Sequence, residues 1–384
     1  MARIGIDARY MENELTGIGR YSYNLLRHLL PSDPENQYWV FLRQDYAGPL
    51  PQGSNVTYLR VPHLPISMGS LLGMSLDVRR IKIDLWHAHF PVLPLFHGVP
   101  SVVTVHDLQP LRVPALAGRR PLPLRIGYRV YYSLAYRYAL HRARAVVAVS
   151  QATRREVESF FCISPEKIRV IHESLDDRFQ EEGDLPQGYA AGSRESFELP
   201  DRFLLYVGAT LPHKNLANMI EGFSKALEQP GVADCFLVLA GRGSRFDEDW
   251  VEVARRLNVS HRIVRLGHVA QEDLPDLYRK ASGLLYVTCF EGFGLPALES
   301  MYHGLPVIVA YHGSLPEVVG SAGIWASPTD VEGIAEAIVR LLGDSSLQER
   351  LRRLGRCNLK RFSWTRAAEE IRSLFEKILS DAQP

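Results

Sequence analysis

The run Cys289-Phe290-Glu291-Gly292-Phe293-Gly294-Leu295-Pro296-Ala297-Leu298-Glu299 holds the residues best suited to chemistry. It follows an apolar stretch and opens a helical one. Gly292 and Gly294 let the main chain approach a ligand closely, and amides pointing out of a helix start make a ready place for an anion such as a diphosphate. The two carboxylates differ in setting. Glu291 stands in the loop before the helix, whereas Glu299 stands about two turns in, where it suits the paired hydroxyls of a ribose. The same residues also fit a plain strand-to-helix turn in which Glu291 favours the helix dipole.

Lys214, in Pro212-His213-Lys214-Asn215, is a candidate cation for such a diphosphate and by itself equally a surface lysine. His106 ends the run SVVTVHD with Asp107 beside it, where a parallel sheet presents ligand contacts; a buried, hydrogen-bonded histidine is the other reading. His87 and His89 flank Ala88 and suit an acceptor or a metal, but no third ligand is placed by the spacing. Asp247-Glu248-Asp249 is a literal Asp-x-Asp, yet it precedes a helical run with Trp250 and Val253, so acids at a helix N-terminus are the better reading. Gly17-x-Gly19-x-x-Ser22 raises a dinucleotide site, weakened by the long loop from Ala8 to Thr16 and by serine in place of the third glycine.

Strand-then-helix alternation supplies the elements to hold these residues. RIGID, WVFL, NVTYLRV, DLWHAHF, SVVTVHD and AVVAVS are nearly continuous in Val, Ile and Leu, as expected of parallel strands covered on both faces. After IRVIH comes QEEGDLPQGYAAGSRESFELP, rich in Gly, Pro, Ser and acids, which reads as a connection. A second series follows: FLLYVGA, CFLVLAG, IVRLGHV, GLLYVTCF, PVIVA and GIWA, with helices from about Asn215, Asp249 and Glu272. From Asp330 onward the period is helical, with Ile334, Ile338 and Leu341 and then Trp364, Ile371, Leu374 and Ile378. The fold class is therefore α/β, with two doubly wound domains of similar size.

A chain of 384 residues suits two cores, since single cores stop growing near ~250–300 residues. Its net charge of +1 gives no reason to expect nucleic acid as a partner. Cys162, Cys235, Cys289 and Cys357 are scattered without metal-ligand spacing, so reduced thiols in a cytoplasm are expected. MARIGIDARY carries no leader pattern. Leu85 to His106 lacks Asp, Glu, Lys and Arg and is long enough to span a bilayer, but its histidines and prolines favour two buried strands joined by a loop.

The Glu291 to Glu299 run resembles the E-x7-E signature of the retaining glycosyltransferases of family 4, in the spacing of its glutamates and in the residues between them. Other segments are similar to that family along nearly the whole chain. IGIDARY and TGIGRYSYNLLRHL resemble its N-terminal glycine loop, and DLWHAHF, VTVHDL and VVAVSQATRREV its acceptor-side strands. YVGATLPHKNL resembles the first strand and donor loop of its second domain, RLGHV its base-binding strand end, and RFSWTRAAEEI its C-terminal helix. The resemblance implies a GT-B fold, two Rossmann-like domains facing across a cleft. It divides the chain into an acceptor-binding domain at 1–180, a linker at 181–200, a nucleotide-sugar-binding domain at 201–360 and a helix at 361–384 that crosses back to the first domain.

The same resemblance implies roles. His106, Glu291 and Lys214 are the expected catalytic residues, with His106 on the transferred sugar, Glu291 on sugar hydroxyls and Lys214 on the diphosphate. Donor contacts are expected from Gly17, Gly19, Gly208, His213, Arg242, Gly267, His268, Phe293, Gly294, Leu295 and Glu299. Arg20, Tyr21, His87, His89 and Ser150 are the expected acceptor side. The family usually supplies a second cation near the lysine; Gly208-Ala209-Thr210-Leu211-Pro212-His213 offers only His213, so Arg242 is the suspected substitute. No metal or other cofactor is expected. The implied reaction is a front-face displacement in which the leaving diphosphate takes the acceptor's proton.

IGIDARY and TGIGRY look most like bacterial mannosyltransferases of polysaccharide and O-antigen assembly, which implies GDP-mannose as donor, with UDP-sugars the alternative. A nucleotide-sugar epimerase, a dehydrogenase and a non-catalytic sugar-nucleotide-binding module stay open as other classes. From Leu108 to Arg155 there is no acid, yet arginines stand at 112, 119, 120, 125, 129, 137, 142, 144, 154 and 155 with tyrosines among them. Such a segment, 112–155, suits peripheral contact with an anionic membrane and a polyprenyl-diphosphate-linked acceptor, or reads as a solvated basic face.

Overall fold

The computed structural model describes residues 1–12, 17–112, 122–177 and 197–382. The chain forms two compact units, Met1–Asp176 with Phe362–Pro384, and Asp177–Arg361. Most of the linker expected at 181–200 lies outside the described residues, as do Arg119, Arg120 and Thr16.

The first unit carries β1 (Arg3–Asp7), α1 (Gly17–Ser32), β2 (Gln37–Arg43), β3 (Val56–Val61), α2 (Met68–Ile81), β4 (Leu85–Ala88), β5 (Ser101–Val105), α3 (Gln109–Arg112), α4 (Leu122–Arg142), β6 (Ala145–Ala148), α5 (Gln151–Phe161) and β7 (Ile168–Val170). Its strands pair in parallel in the order β3-β2-β1-β4-β5-β6-β7. Every residue of β4, β5 and β6 is buried, which is why each is an unbroken run without polar alternation. One face of the sheet packs Phe41, Trp86 and Val103 against Met74 and Val78 of α2, Tyr136 and Leu140 of α4, and Val157 of α5. Leu85 to His106, weighed above as a membrane span, forms β4, β5 and the loop between them. Among the described residues no helix is long and apolar enough to cross a membrane.

The second unit repeats the plan with β8 (Phe203–Val207), α6 (Leu216–Ala226), β9 (Phe236–Ala240), α7 (Asp247–Arg256), β10 (Ile263–Gly267), α8 (Leu274–Lys280), β11 (Gly283–Tyr286), α9 (Leu295–Tyr302), β12 (Val307–Ala310), α10 (Leu315–Val319), β13 (Gly323–Ala326), α11 (Val331–Gly343) and α12 (Ser345–Leu359). The strand order is β10-β9-β8-β11-β12-β13, again all parallel. In both sheets the order reverses beside the first strand, at β1/β4 and at β8/β11. Ligands of such sheets bind beyond the carboxyl ends of the strands at this reversal. α6 and α11 pack closely because Gly222 has no side chain; a Cβ there would lie 2.5 Å from Ile334 Cγ2.

The last helix, α13 (Trp364–Asp381), is capped by Ser363 and belongs to the first unit. Trp364 meets the Tyr21 ring edge-on at 5.7 Å, Phe375 meets His87 at 5.4 Å, and Thr365 Oγ1 lies 3.1 Å from His28 Nδ1. The chain thus returns to its starting unit, as the resemblance implies.

Candidate active site

In the second unit, the strands flanking the reversal deliver Lys214 and Glu291 to one place. Beyond β8 the chain passes Gly208, whose amide donates to Ala240 O, and Thr210, whose amide donates to Arg242 O. A short 3-10 turn, Pro212–Lys214, then ends at Asn215 with φ of 63°. The Asn215 side-chain amide holds this corner by donating to Val287 O and Pro328 O. From β11 the Cys289 amide donates to His213 O at 2.8 Å, which ties the two loops together. Across that tie Lys214 Nζ lies 2.6 Å from Glu291 Oε1, with both side chains mostly buried.

Tyr286, the last residue of β11, joins the pair. Its hydroxyl donates to Glu291 Oε1 at 2.7 Å and lies 3.3 Å from Lys214 Nζ. Burial, and then the Glu291 charge, hold the phenol well above its ordinary pKa, so it stays a donor. Ser314 Oγ lies 3.1 Å from Glu291 O and 2.9 Å from Phe293 O, fixing the loop's main chain. α9 begins at Leu295 after Gly294, whose φ of 102° puts it in the region that favours glycine; a Cβ there would lie 2.6 Å from Leu315 Cδ2.

Glu299, expected at a ribose, is 1% exposed, and Tyr278 of α8 donates to its Oε2 at 2.7 Å. His213 is also buried, and burial followed by the Lys214 charge pulls its pKa down to about 3. Kept neutral, the ring adds no second positive charge beside Lys214. Arg242 is exposed at the end of β9. Its neighbour Gly241 lets two main chains touch: a Cβ at 241 would lie 2.0 Å from Gly208 O. Gly267 closes β10, accepts the Gly241 amide at 2.7 Å, and leaves His268 exposed. The Asp-x-Asp run opens α7. Asp247 is engaged by the Ser244 amide at 2.9 Å, by Arg265 at 2.6 Å and by Thr210 Oγ1, as the helix-terminus reading expects.

The first unit gathers a second polar cluster at the carboxyl ends of β4 and β5. His106 Nδ1 lies 2.8 Å from Glu173 Oε1, and its Nε2 lies 3.1 Å from His89 O. A carbonyl only accepts, so Nε2 carries a hydrogen and donates it. Both ring nitrogens are engaged within the protein, and a sugar hydroxyl reaches one only by displacing Glu173 or the carbonyl. His87 Nε2 pairs with Thr104 Oγ1 at 2.9 Å, Tyr21 OH lies 3.2 Å from the same oxygen, and His89 Nδ1 pairs with Ser22 Oγ at 2.8 Å. Burial pushes His87 well below its ordinary pKa and His89 to about 3. Ser150 caps α5, accepting the Thr153 amide at 3.0 Å.

Tyr21, His87, His89 and Ser150, expected on the acceptor side, are all buried, each with a hydrogen-bond partner inside the first unit. Arg20 remains partly exposed, 3.7 Å from Asp176. Gly17 opens α1 at an exposed position, whereas Gly19 is buried within the helix. Tyr286, Tyr278 and Glu173 escaped the sequence reading. Tyr286 had a local signal, standing five residues before Glu291 at the end of an apolar strand; Glu173 had none.

Two doubly wound parallel-sheet units, one with a lysine and a glutamate joined at the switch-point strand ends, define a protein of the GT-B glycosyltransferase fold. Residues 193–357 match the family of glycosyl transferases group 1, and residues 15–179 match glycosyltransferase family 4. The chain carries both glycosyltransferase domains and is a glycosyltransferase, which sets aside the epimerase and dehydrogenase readings. It is 28% identical over 369 residues to O-antigen chain mannosyltransferase B of Escherichia coli, covering 91% of this chain and 93% of that one. O-antigen chain mannosyltransferase RfbU of Salmonella typhimurium is 25% identical over 63% of this chain and 62% of its own length. Among solved structures, sucrose-phosphate synthase from Thermosynechococcus elongatus superposes over 100% of both chains with a TM-score of 0.73 at 19% identity.

Proposed function

We propose that the chain transfers mannose from GDP-mannose, with retention, to a lipid-linked saccharide acceptor during assembly of a bacterial surface polysaccharide. The Lys214–Glu291 pair carries this reading. It sets a cation for a diphosphate beside a carboxylate for sugar hydroxyls, at the point of a doubly wound sheet where ligands bind. The mannosyltransferase names of the relatives support the sugar.

In the proposed step the bond from the anomeric carbon to the diphosphate oxygen breaks as the bond to the acceptor oxygen forms on the same face. The departing diphosphate oxygen takes the acceptor's proton. Lys214, with the amides near Phe293 and Gly294, stabilises the charge that gathers on the leaving group, and Glu291 orients the sugar. No divalent ion is needed for that stabilisation in this reading. The acceptor carries a polyprenyl diphosphate, and the protein meets an anionic membrane through 112–155. Ile126, Val130 and Leu134 support that contact: they stand at intervals of four on α4, exposed, with Arg125, Arg129 and Arg137 alongside.

The deciding experiment is transfer in chelator with GDP-mannose, UDP-glucose and UDP-N-acetylglucosamine, followed by NMR of the product anomer. An α-mannoside formed only from GDP-mannose is the expected result. An inverted product, or transfer from UDP-sugars alone, would overturn the corresponding part of the reading.

A further inference from the structure

We infer that Tyr286 is a positioning residue for Glu291, holding its carboxylate in place when the donor's diphosphate draws Lys214 away. The inference rests on the proposed function and adds a residue to it. Two donors converge on Glu291 Oε1, the Lys214 ammonium at 2.6 Å and the Tyr286 hydroxyl at 2.7 Å. Oε2 has no hydrogen-bond partner among the described residues, so both donors hold the carboxylate through a single oxygen.

The donors differ in what happens next. Lys214 sits at the end of a flexible stem, and a diphosphate with more negative charge than one carboxylate competes for it. Once it turns, Glu291 keeps only the phenol. Tyr286 cannot follow, because it is buried at the end of β11, with its ring 6.3 Å from that of Tyr206. Being neutral, it also does not compete for the phosphate. The pair Lys214–Glu291 therefore opens from one side only, and the carboxylate stays where β11 put it. Without the phenol, a carboxylate on a glycine-flanked loop would turn towards solvent when the ammonium departs.

Tyr286→Phe keeps the ring and removes only the donor. Turnover with the glycosyl donor should fall about ten- to a hundredfold, the worth of one hydrogen bond to a charged group, while GDP affinity in chelator changes less than about threefold. In the Tyr286→Phe/Glu291→Gln double variant the two losses should not add. Unchanged turnover in Tyr286→Phe, or an equal loss of GDP affinity, would overturn the inference. If the unmodified chain transfers sugar from no nucleoside diphosphate, the proposed function fails on its own. The strut is then decided by urea unfolding of the same cycle: non-additive midpoint shifts uphold the bond, and additive ones remove it.

Discussion

Lys214 Nζ and Glu291 Oε1 lie 2.6 Å apart, so the cation expected at a diphosphate and the carboxylate expected at a sugar neutralise each other until a ligand separates them. Both side chains are mostly buried, so neither charge is well solvated once the pair opens, and the ammonium leaves only for a partner such as a diphosphate that carries more negative charge.

Replacing Lys214 with alanine should weaken GDP binding about ten- to a hundredfold, in line with loss of a charge-assisted hydrogen bond. Titration calorimetry at low and high salt checks this, with the gap between variant and parent narrowing as salt screens the parent's advantage. Equal affinities at low salt would exclude Lys214 from the phosphate site.

Glu291→Ala makes the opposite prediction. It frees Lys214 and removes only the sugar contact, so GDP affinity should hold or rise while transfer falls by about two orders of magnitude or more. Loss of nucleotide affinity with normal turnover would reverse the assignment of the two residues.

Glu173→Ala strands the buried Nδ1 of His106 and should destabilise the first unit by about 1–3 kcal/mol, read from urea midpoints. Glu173→Gln, which can still pair with the ring, should recover most of that. An alanine variant as stable as the parent would mean that the His106–Glu173 contact contributes nothing.

Burial gives a pH dependence whose sign is fixed. His89 and His213 are pulled to about 3 and His87 also downward, from 6.5. Between those values the unfolded chain binds protons that the folded chain refuses, so stability falls as pH drops below about 6.5, by roughly 1.4 kcal/mol per pH unit for each histidine. Above pH 7 these groups contribute no slope. Urea midpoints at pH 7.5, 6 and 5 test this, and a His213→Asn variant should show a shallower decline. Midpoints that do not move between pH 7 and pH 5 would contradict the burial.

Gly241→Ala places a methyl where Gly208 O already stands, and should unfold or misalign the β8 and β9 loop ends. Reduced thermal stability together with lost GDP binding is expected; a folded variant with full affinity would show that the two main chains can separate freely.

The strands and their order of use were legible because parallel strands covered on both faces cannot alternate polar with apolar, so RIGID, SVVTVHD and FLLYVGA stand out from the amphipathic runs between them. Glu291 and Lys214 were legible from their loops. What lay beneath the first sheet's strand ends was not. His87 and His89 look like surface ligands because histidine is polar, yet Thr104 and Ser22 satisfy one nitrogen of each, and neither partner is near in sequence. Glu173 reaches His106 across 67 residues, and only the pairing of β5, β6 and β7 brings them together. Such contacts belong to topology, and a single chain read linearly does not display them.

Because α13 completes the first unit, the second unit interrupts the first in the order of synthesis. Residues 177–361 emerge from the ribosome with every strand and helix of their own sheet, whereas the surface of α1 that receives Trp364 and the pocket around His87 that receives Phe375 wait for the final stretch of chain. Trp364 and Phe375 come after the whole second unit in chain order, so the first unit cannot complete its packing until the second has been synthesised.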